Sequence, residues 1–103
     1  MANHEALLYA IDNASLVGME DDLLKFYHLP ASEQRTRLRE VYLSVKDKPW
    51  AKEIVDMYEG VLEGCEALRT HSWNRVDKAC KKIENAVKRR LHQIQNDKRR
   101  VSW

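Results

Sequence analysis

The sequence predicts an all-α fold of four to five helices, with a long C-terminal antiparallel helical hairpin. Only three Gly and two Pro occur in 103 residues, fewer than the turns of a sheet-rich domain of this size require. Apolar residues instead recur three and four positions apart, which is the spacing of one helix face. Because a chain of this length ordinarily forms one domain, we expect a single helical domain over residues 1–103.

Three short helices are predicted in residues 1–46. The first begins with Asn3 as its cap and ends at Gly18, which suits a left-handed C-cap. The second covers residues 20–28, where three acids at its start interact favourably with the helix dipole. The third follows Pro30, with Ser32 as its cap.

Residues 20–45 therefore form a helix, a tight turn and a helix, which raises the alternative of a helix-turn-helix DNA reader. In that motif the first turns of the second helix contact bases in the major groove. The polar side chains at those positions are Gln34, Arg35, Thr36 and Arg37. The turn lacks the glycine that is frequent in the motif, so we favour an ordinary helix–helix connection with solvated arginines.

The hairpin is predicted over residues 47–99, followed by a tail at 100–103. Asp47 and Pro49 signal the start of its first helix. The inward positions of that helix are Trp50, Ile54, Met57, Tyr58, Val61, Leu62, Cys65 and Leu68. Those of the second helix are Trp73, Val76, Cys80, Ile83, Val87, Leu91 and Ile94. We expect both cysteines to be buried thiols. The N-terminal residues are few for so long a stripe, which favours a homodimer.

Charge is divided unevenly along the chain. From Trp73 onward there are ten Lys or Arg against three acids, whereas residues 1–72 hold eight against thirteen. A basic helix face is the electrostatic signature of a nucleic-acid-binding protein, so nucleic acid is the alternative partner. The side chains expected to contact phosphates are Lys82, Lys88, Arg89, Arg90, Lys98, Arg99 and Arg100.

Acidic residues line the first hairpin helix on the side opposite its apolar stripe. They are Glu53, Asp56, Glu59, Glu63 and Glu66. Like charges at this spacing repel each other by only about 0.2–0.5 kcal/mol per pair, so a solvated face explains the row most simply. The sharper hypothesis is that the row docks a basic surface of another protein or of a second copy of the chain.

Small residues follow the same helix at Gly60, Gly64 and Ala67. Each Gly destabilises a helix interior by about 0.5–1 kcal/mol relative to Ala, so the strip needs an explanation. One interpretation is that another helix crosses closely at this strip, and the other is a kink. We favour close packing.

Enzymatic chemistry is not predicted. The four histidines (His4, His28, His71 and His92) are scattered, and none has zinc-ligand spacing to a cysteine. A glycine-rich phosphate loop and a nucleophile elbow are both missing, so we expect no catalytic residue, no metal and no cofactor. Neither a membrane span nor a secretory signal is predicted, which indicates a cytoplasmic protein, or a nuclear one in a eukaryote.

Size, segregated charge and missing chemistry together favour a small non-enzymatic protein-binding module. Such a module would be an adaptor or inhibitor that acts by occupying the surface of a partner protein. Accessory proteins of phages and mobile elements fit this description, although no motif assigns the chain to them. The alternative is a nucleic-acid-binding protein that uses the basic C-terminal helix.

Overall fold

The computed structural model describes the backbone of residues 2–101 and the side chains of residues 4–98. Within this range it contains five α-helices and no strand, so the all-α prediction is confirmed. The helices are α1 (Ala2–Asn13), α2 (Glu20–His28), α3 (Ala31–Val45), α4 (Ala51–Arg69) and α5 (Trp73–Val101). A 3-10 turn (Ala14–Val17) follows α1. The predicted cap Asn3 lies outside the described side chains.

Helices α4 and α5 form the most extensive contact in the molecule and run in opposite directions. Their ion pairs join residues in reverse order, from Glu66 with Arg75 near the turn to Glu53 with Arg89 at the other end. The hairpin turn contains His71, which has a left-handed backbone (φ 54°) that is uncommon for a residue other than glycine.

The start of α4 differs from the prediction. Residues 46–50 form turns, in which the N–H of Lys48 bonds the carbonyl of Val45 and that of Ala51 bonds the carbonyl of Lys48. The helix therefore begins at Ala51 instead of directly after Asp47. The consequence is a short, folded link between α3 and α4, which keeps these two helices side by side.

Most of the apolar stripe of α4 and α5 is covered within the chain, but Trp73 is exposed and Leu62, Leu91 and Ile94 are only half-buried. Helix α1 packs on α5 and α4, and α2 and α3 both pack on α4. The buried core includes Leu7, Ile11, Leu23, Phe26, Ile54, Met57, Tyr58, Val61, Val76, Ile83 and Val87. Cys65 and Cys80 are also buried, and neither forms a disulfide. The homodimer stays a prediction, since the N-terminal helices cover more of the stripe than the sequence led us to expect.

Several local predictions can be compared with the structure. Gly18 takes the left-handed conformation (φ 72°) that its place after the 3-10 turn requires. Ser32 does not cap α3, because Pro30 occupies the cap position. Trp73 is 48% exposed and only packs edge-on against His71, with ring centres 5.6 Å apart. It is the first residue of α5, where the antiparallel α4 has already ended at Arg69.

The strip of small residues on α4 lies at a close helix crossing. A Cβ atom on Gly60 would lie 2.6 Å from Cγ1 of Ile83 and 3.2 Å from the carbonyl oxygen of Ala79. A Cβ atom on Gly64 would lie 2.7 Å from a methyl group of Leu7. Helix α4 continues without interruption through both positions, so the glycines permit close approach of α5 and α1 and do not mark a kink. Ala67, the third member, is fully buried.

We expect Gly60→Ala to destabilise the protein, although Ala is the better helix former. Overpacking costs about 1–3 kcal/mol, which exceeds the gain of about 0.5–1 kcal/mol in helix propensity. Urea unfolding should show a net loss of about 1–2 kcal/mol. The control is Asn85→Ala on the exposed side of α5, which should change stability by less than about 0.5 kcal/mol. A more stable Gly60→Ala protein would contradict the close crossing.

Candidate functional site

The acidic row of α4 is not a solvated face, because most of it meets α5. Asp56 accepts a hydrogen bond from Arg89 at 2.8 Å, and Glu63 accepts one from Lys82 at 3.0 Å. We call this contact the charge seam. It consists of Glu53, Asp56 and Glu63 on α4 and of Lys82, Arg89 and Gln93 on α5.

Glu53 is the most buried member of the charge seam, with 8% of its surface exposed. Its carboxylate accepts hydrogen bonds from Gln93 at 2.9 Å and from Arg89 at 3.4 Å. Burial on its own raises the pKa of Glu53, but these hydrogen bonds and the charge of Arg89 outweigh burial, so the pKa lies below its usual value. Arg89 therefore bridges two acids of α4, Glu53 and Asp56.

Lys82 occupies the middle of the charge seam. Burial opposes its charged form, but the hydrogen bond to Glu63 and the nearby charges of Glu59 and Asp56 are stronger and raise its pKa. The ammonium group is consequently held among three carboxylates of α4. It serves the contact between helices and is not free to contact a phosphate.

The last acid of the row, Glu66, is shared between α3 and α5. It pairs with Arg35 at 2.7 Å and lies 3.9 Å from Arg75. Four of the five acids thus pair with cations of the same chain; the fifth, Glu59, is half-buried. The basic surface that the row was expected to dock is therefore, in this structure, a part of the same molecule.

The predicted phosphate-contacting residues separate into different groups. Lys82 and Arg89 belong to the charge seam, and Arg90 stacks over the ring of Trp50 at 4.7 Å. Lys88 and Lys98 are exposed. The side chains of Arg99 and Arg100 lie outside the described residues. Only part of the predicted basic surface is therefore available to a partner.

Two exposed lysines that were not among the predicted phosphate-contacting residues form a basic surface together with Lys88. Lys78 and Lys81 lie on α5 on the same side as Lys88, ten and seven residues before it. Neither takes part in an ion pair with the side chains that the structure describes. Lys78 lies one helical turn before Lys82, but only Lys82 pairs with α4, and the sequence alone does not show where α4 packs.

A helix-turn-helix mode of DNA reading does not fit the structure. Gln34, at one of the predicted base-contacting positions, is only 1% exposed. Its amide donates hydrogen bonds to the carbonyl oxygen of Phe26 at 2.9 Å and to the sulfur of Cys65 at 3.6 Å. The residue holds α3 against α2 and α4 from inside, so it has no access to a DNA groove.

A groove between α3 and α4 is open to solvent and was not predicted. It encloses about 380 Å³ and has an apolar floor formed by Leu38, Val55 and Leu62. Charged and aromatic side chains line the rest, namely Arg35, Arg39, Tyr42 and Glu59. We call it the α3/α4 groove. It lies beside α3, whose helix contacts are limited to α4 and α2 within the described residues.

Three of the four histidines gather at one end of the molecule. An opening of about 480 Å³ is lined by His4, Tyr27, His28, Cys65, Leu68, Arg69 and His71. The Nδ1 atom of His4 lies 2.9 Å from the hydroxyl of Tyr27. Burial raises the pKa of Cys65, which disfavours a reactive thiolate.

This gathering has a structural explanation. Helices α2 and α4 both end here, and basic side chains stabilise helix C-termini. Within the described residues, no three His, Cys, Asp or Glu side chains are arranged to hold a metal ion. The sequence did not indicate the cluster because its histidines come from three separate segments.

No protein-family model, curated protein or solved structure matches the chain. No helix in the described part of the chain is both long enough and apolar enough to cross a membrane.

Removal of the buried charge in Glu53→Gln should lower the free energy of unfolding at pH 7 by about 1–2 kcal/mol, as expected for a charged hydrogen bond to the partly exposed Arg89. The effect should shrink at low pH. The pKa of Glu53 in the folded protein lies below its usual value of 4.5. As the pH falls from 4.5 toward that lower pKa, the unfolded state binds more protons than the folded state, so wild-type stability declines as the carboxylate is protonated.

Urea unfolding at pH 7 and at about pH 3 measures both effects. The matched control is Glu40→Gln, whose partner Arg37 is half exposed, so that it should change stability by less than about 1 kcal/mol. Equal losses for Glu40→Gln and Glu53→Gln would show that Glu53 is no more important than a surface acid.

Proposed function

We propose that this protein is a small non-enzymatic protein-binding module and that its contact surface is the α3/α4 groove. The observation that supports this proposal is an apolar floor left open between two helices and bordered by arginines. Grooves of this kind between helices bind the apolar face of a partner segment. The acidic row, which suggested protein binding from the sequence, supplies intramolecular contacts instead.

The residue types in the groove suit a protein interface. Tyr42 is 53% exposed and lines the groove, and Leu43 beside it is 56% exposed. Tyrosine and arginine are the side chains most enriched among residues that dominate binding energy. Arg39 has no ion-pair partner among the described side chains, so its guanidinium is available to a partner.

The shape and charge of the groove define the partner's chemistry. From Arg35 to Tyr42 the wall formed by α3 extends about 10 Å, or two helical turns. This length accommodates apolar side chains one turn apart on an amphipathic helix. Arg39 lines the α3 wall and Glu59 the α4 wall, whereas Arg35 is already paired with Glu66. The fitting helix therefore carries a carboxylate toward Arg39 and a cation toward Glu59.

The proposal is tested by affinity capture from the native source with three versions of the full chain. They are wild type, the groove variant Arg39→Glu/Tyr42→Asp, and the control Leu16→Asp, which changes a side chain that is 62% exposed in the 3-10 turn. We expect a protein that wild type and the control retain and that the groove variant loses. Its direct affinity should fall more than tenfold in the groove variant. Equal retention of every captured protein by all three versions would contradict the proposal.

A second copy of the chain is also a candidate partner, as predicted from the sequence. Light scattering at high micromolar concentration measures self-association directly. If wild type and Leu16→Asp form a dimer and Arg39→Glu/Tyr42→Asp does not, the second copy is the occupant of the α3/α4 groove. A monomer in all three samples removes the homodimer.

A further inference from the structure

The cations of α5 divide into paired and unpaired residues. Arg75, Lys82 and Arg89 form ion pairs with acids of α4, and Arg90 stacks on Trp50. Among the other described cations of α5, Lys78, Lys81 and Lys88 are exposed and lie on one face of the helix. Like Lys98 near the end of α5, they form no ion pair with the described side chains.

These lysines belong to one continuous row on the solvent side of α5. The row consists of Asn74, Lys78, Lys81, Asn85, Lys88 and His92, all exposed and spaced four and three residues apart. It extends about 27 Å along the helix. We call it the lysine row. Asn85 lies between its lysines, and Asn74 and His92 lie at its two ends.

The acids nearest in sequence lie on a neighbouring flank of the helix. Asp77 and Glu84 are close enough to Cys80 to raise its pKa further, after burial, to about 11. Asp77 is nevertheless exposed, one helical turn before Lys81, whereas Glu84 is half-buried. The lysine row therefore carries a net positive charge with one exposed carboxylate at its edge, and the paired cations hold α5 on the body of the protein.

We infer that the lysine row binds duplex DNA by lying in its major groove. An α-helix fits this groove, which is about 12 Å wide. Lysines at the row's spacing contact phosphates, and the amides of Asn74 and Asn85 are of the type that pairs with base edges. This surface is independent of the α3/α4 groove and of the protein partner proposed for it.

Other polyanions fit the row less well. The major groove of an RNA duplex is too deep and narrow to admit a helix. A helix that lies on a membrane inserts its apolar face among the lipids, but the apolar face of α5, with Val76, Ile83 and Val87, is buried in the core. Duplex DNA thus suits both the shape and the chemistry of the row.

Fluorescence anisotropy with a labelled 20-base-pair DNA duplex tests the inference. Three phosphate contacts give a salt slope of about −2.7 in a plot of log affinity against log salt concentration, equivalent to an affinity loss of about 40-fold between 50 and 200 mM. We expect Lys78→Gln/Lys81→Gln/Lys88→Gln to abolish most of this slope and to weaken binding at 50 mM salt more than tenfold. The control Lys25→Gln/Lys46→Gln/Lys48→Gln removes the same charge from exposed lysines elsewhere and should keep most of the affinity and slope.

Three results would overturn the inference. They are the absence of DNA binding by wild type at 50 mM salt, an equal loss in the two triple variants, and tighter binding to an RNA duplex or to anionic vesicles than to DNA. Circular dichroism should be the same for all variants because every substituted lysine is exposed. The variant Arg39→Glu/Tyr42→Asp should retain DNA binding, which separates this test from that of the α3/α4 groove.

Discussion

The charge seam between α4 and α5 is the interaction on which the rest of the structure depends. It places Glu53 and Asp56 around Arg89, and it holds Lys82 on Glu63 within the field of Glu59 and Asp56. Like charges along α4 would repel each other if they faced water together, and the cations of α5 convert that repulsion into attraction between the helices. The seam also decides which charges remain for a partner, since a cation held against α4 is not available to another molecule.

Close packing of α4 against α5 brings the charged side chains of the charge seam within hydrogen-bonding distance of each other. Gly60 brings the backbone of α4 against Ala79 and Ile83 of α5, so the side chains on either side of the crossing meet at hydrogen-bonding distance. Apolar contact and ion pairs therefore act along the same helix pair. Within the described residues, α3 contacts α4 and α2 but not α5. That arrangement leaves the α3/α4 groove and the lysine row as separate surfaces, one apolar with an ionic rim and one basic.

The helices and their buried faces could be predicted because apolar periodicity depends only on local sequence. The contact partner of the acidic row could not be predicted from the sequence. A helical wheel shows that Glu53 and Asp56 lie apart from the apolar stripe, but it does not show which helix packs beside them. Gln34 was a base-contacting position in the helix-turn-helix alternative, whereas its amide is buried with hydrogen bonds to α2 and α4. The groove and the histidine cluster depend on contacts between distant segments, which periodicity does not report.

In the charge seam, the acids of α4 are bound by cations of α5 within one molecule. A double-mutant cycle with Asp56→Asn, Arg89→Met and the combined variant measures this directly by urea unfolding, because it isolates the coupling between the two side chains. We expect a favourable coupling of about 1 kcal/mol or more between Asp56 and Arg89, reduced by high salt. Additive effects, within about 0.3 kcal/mol, would show that the two residues act independently and would contradict the charge seam.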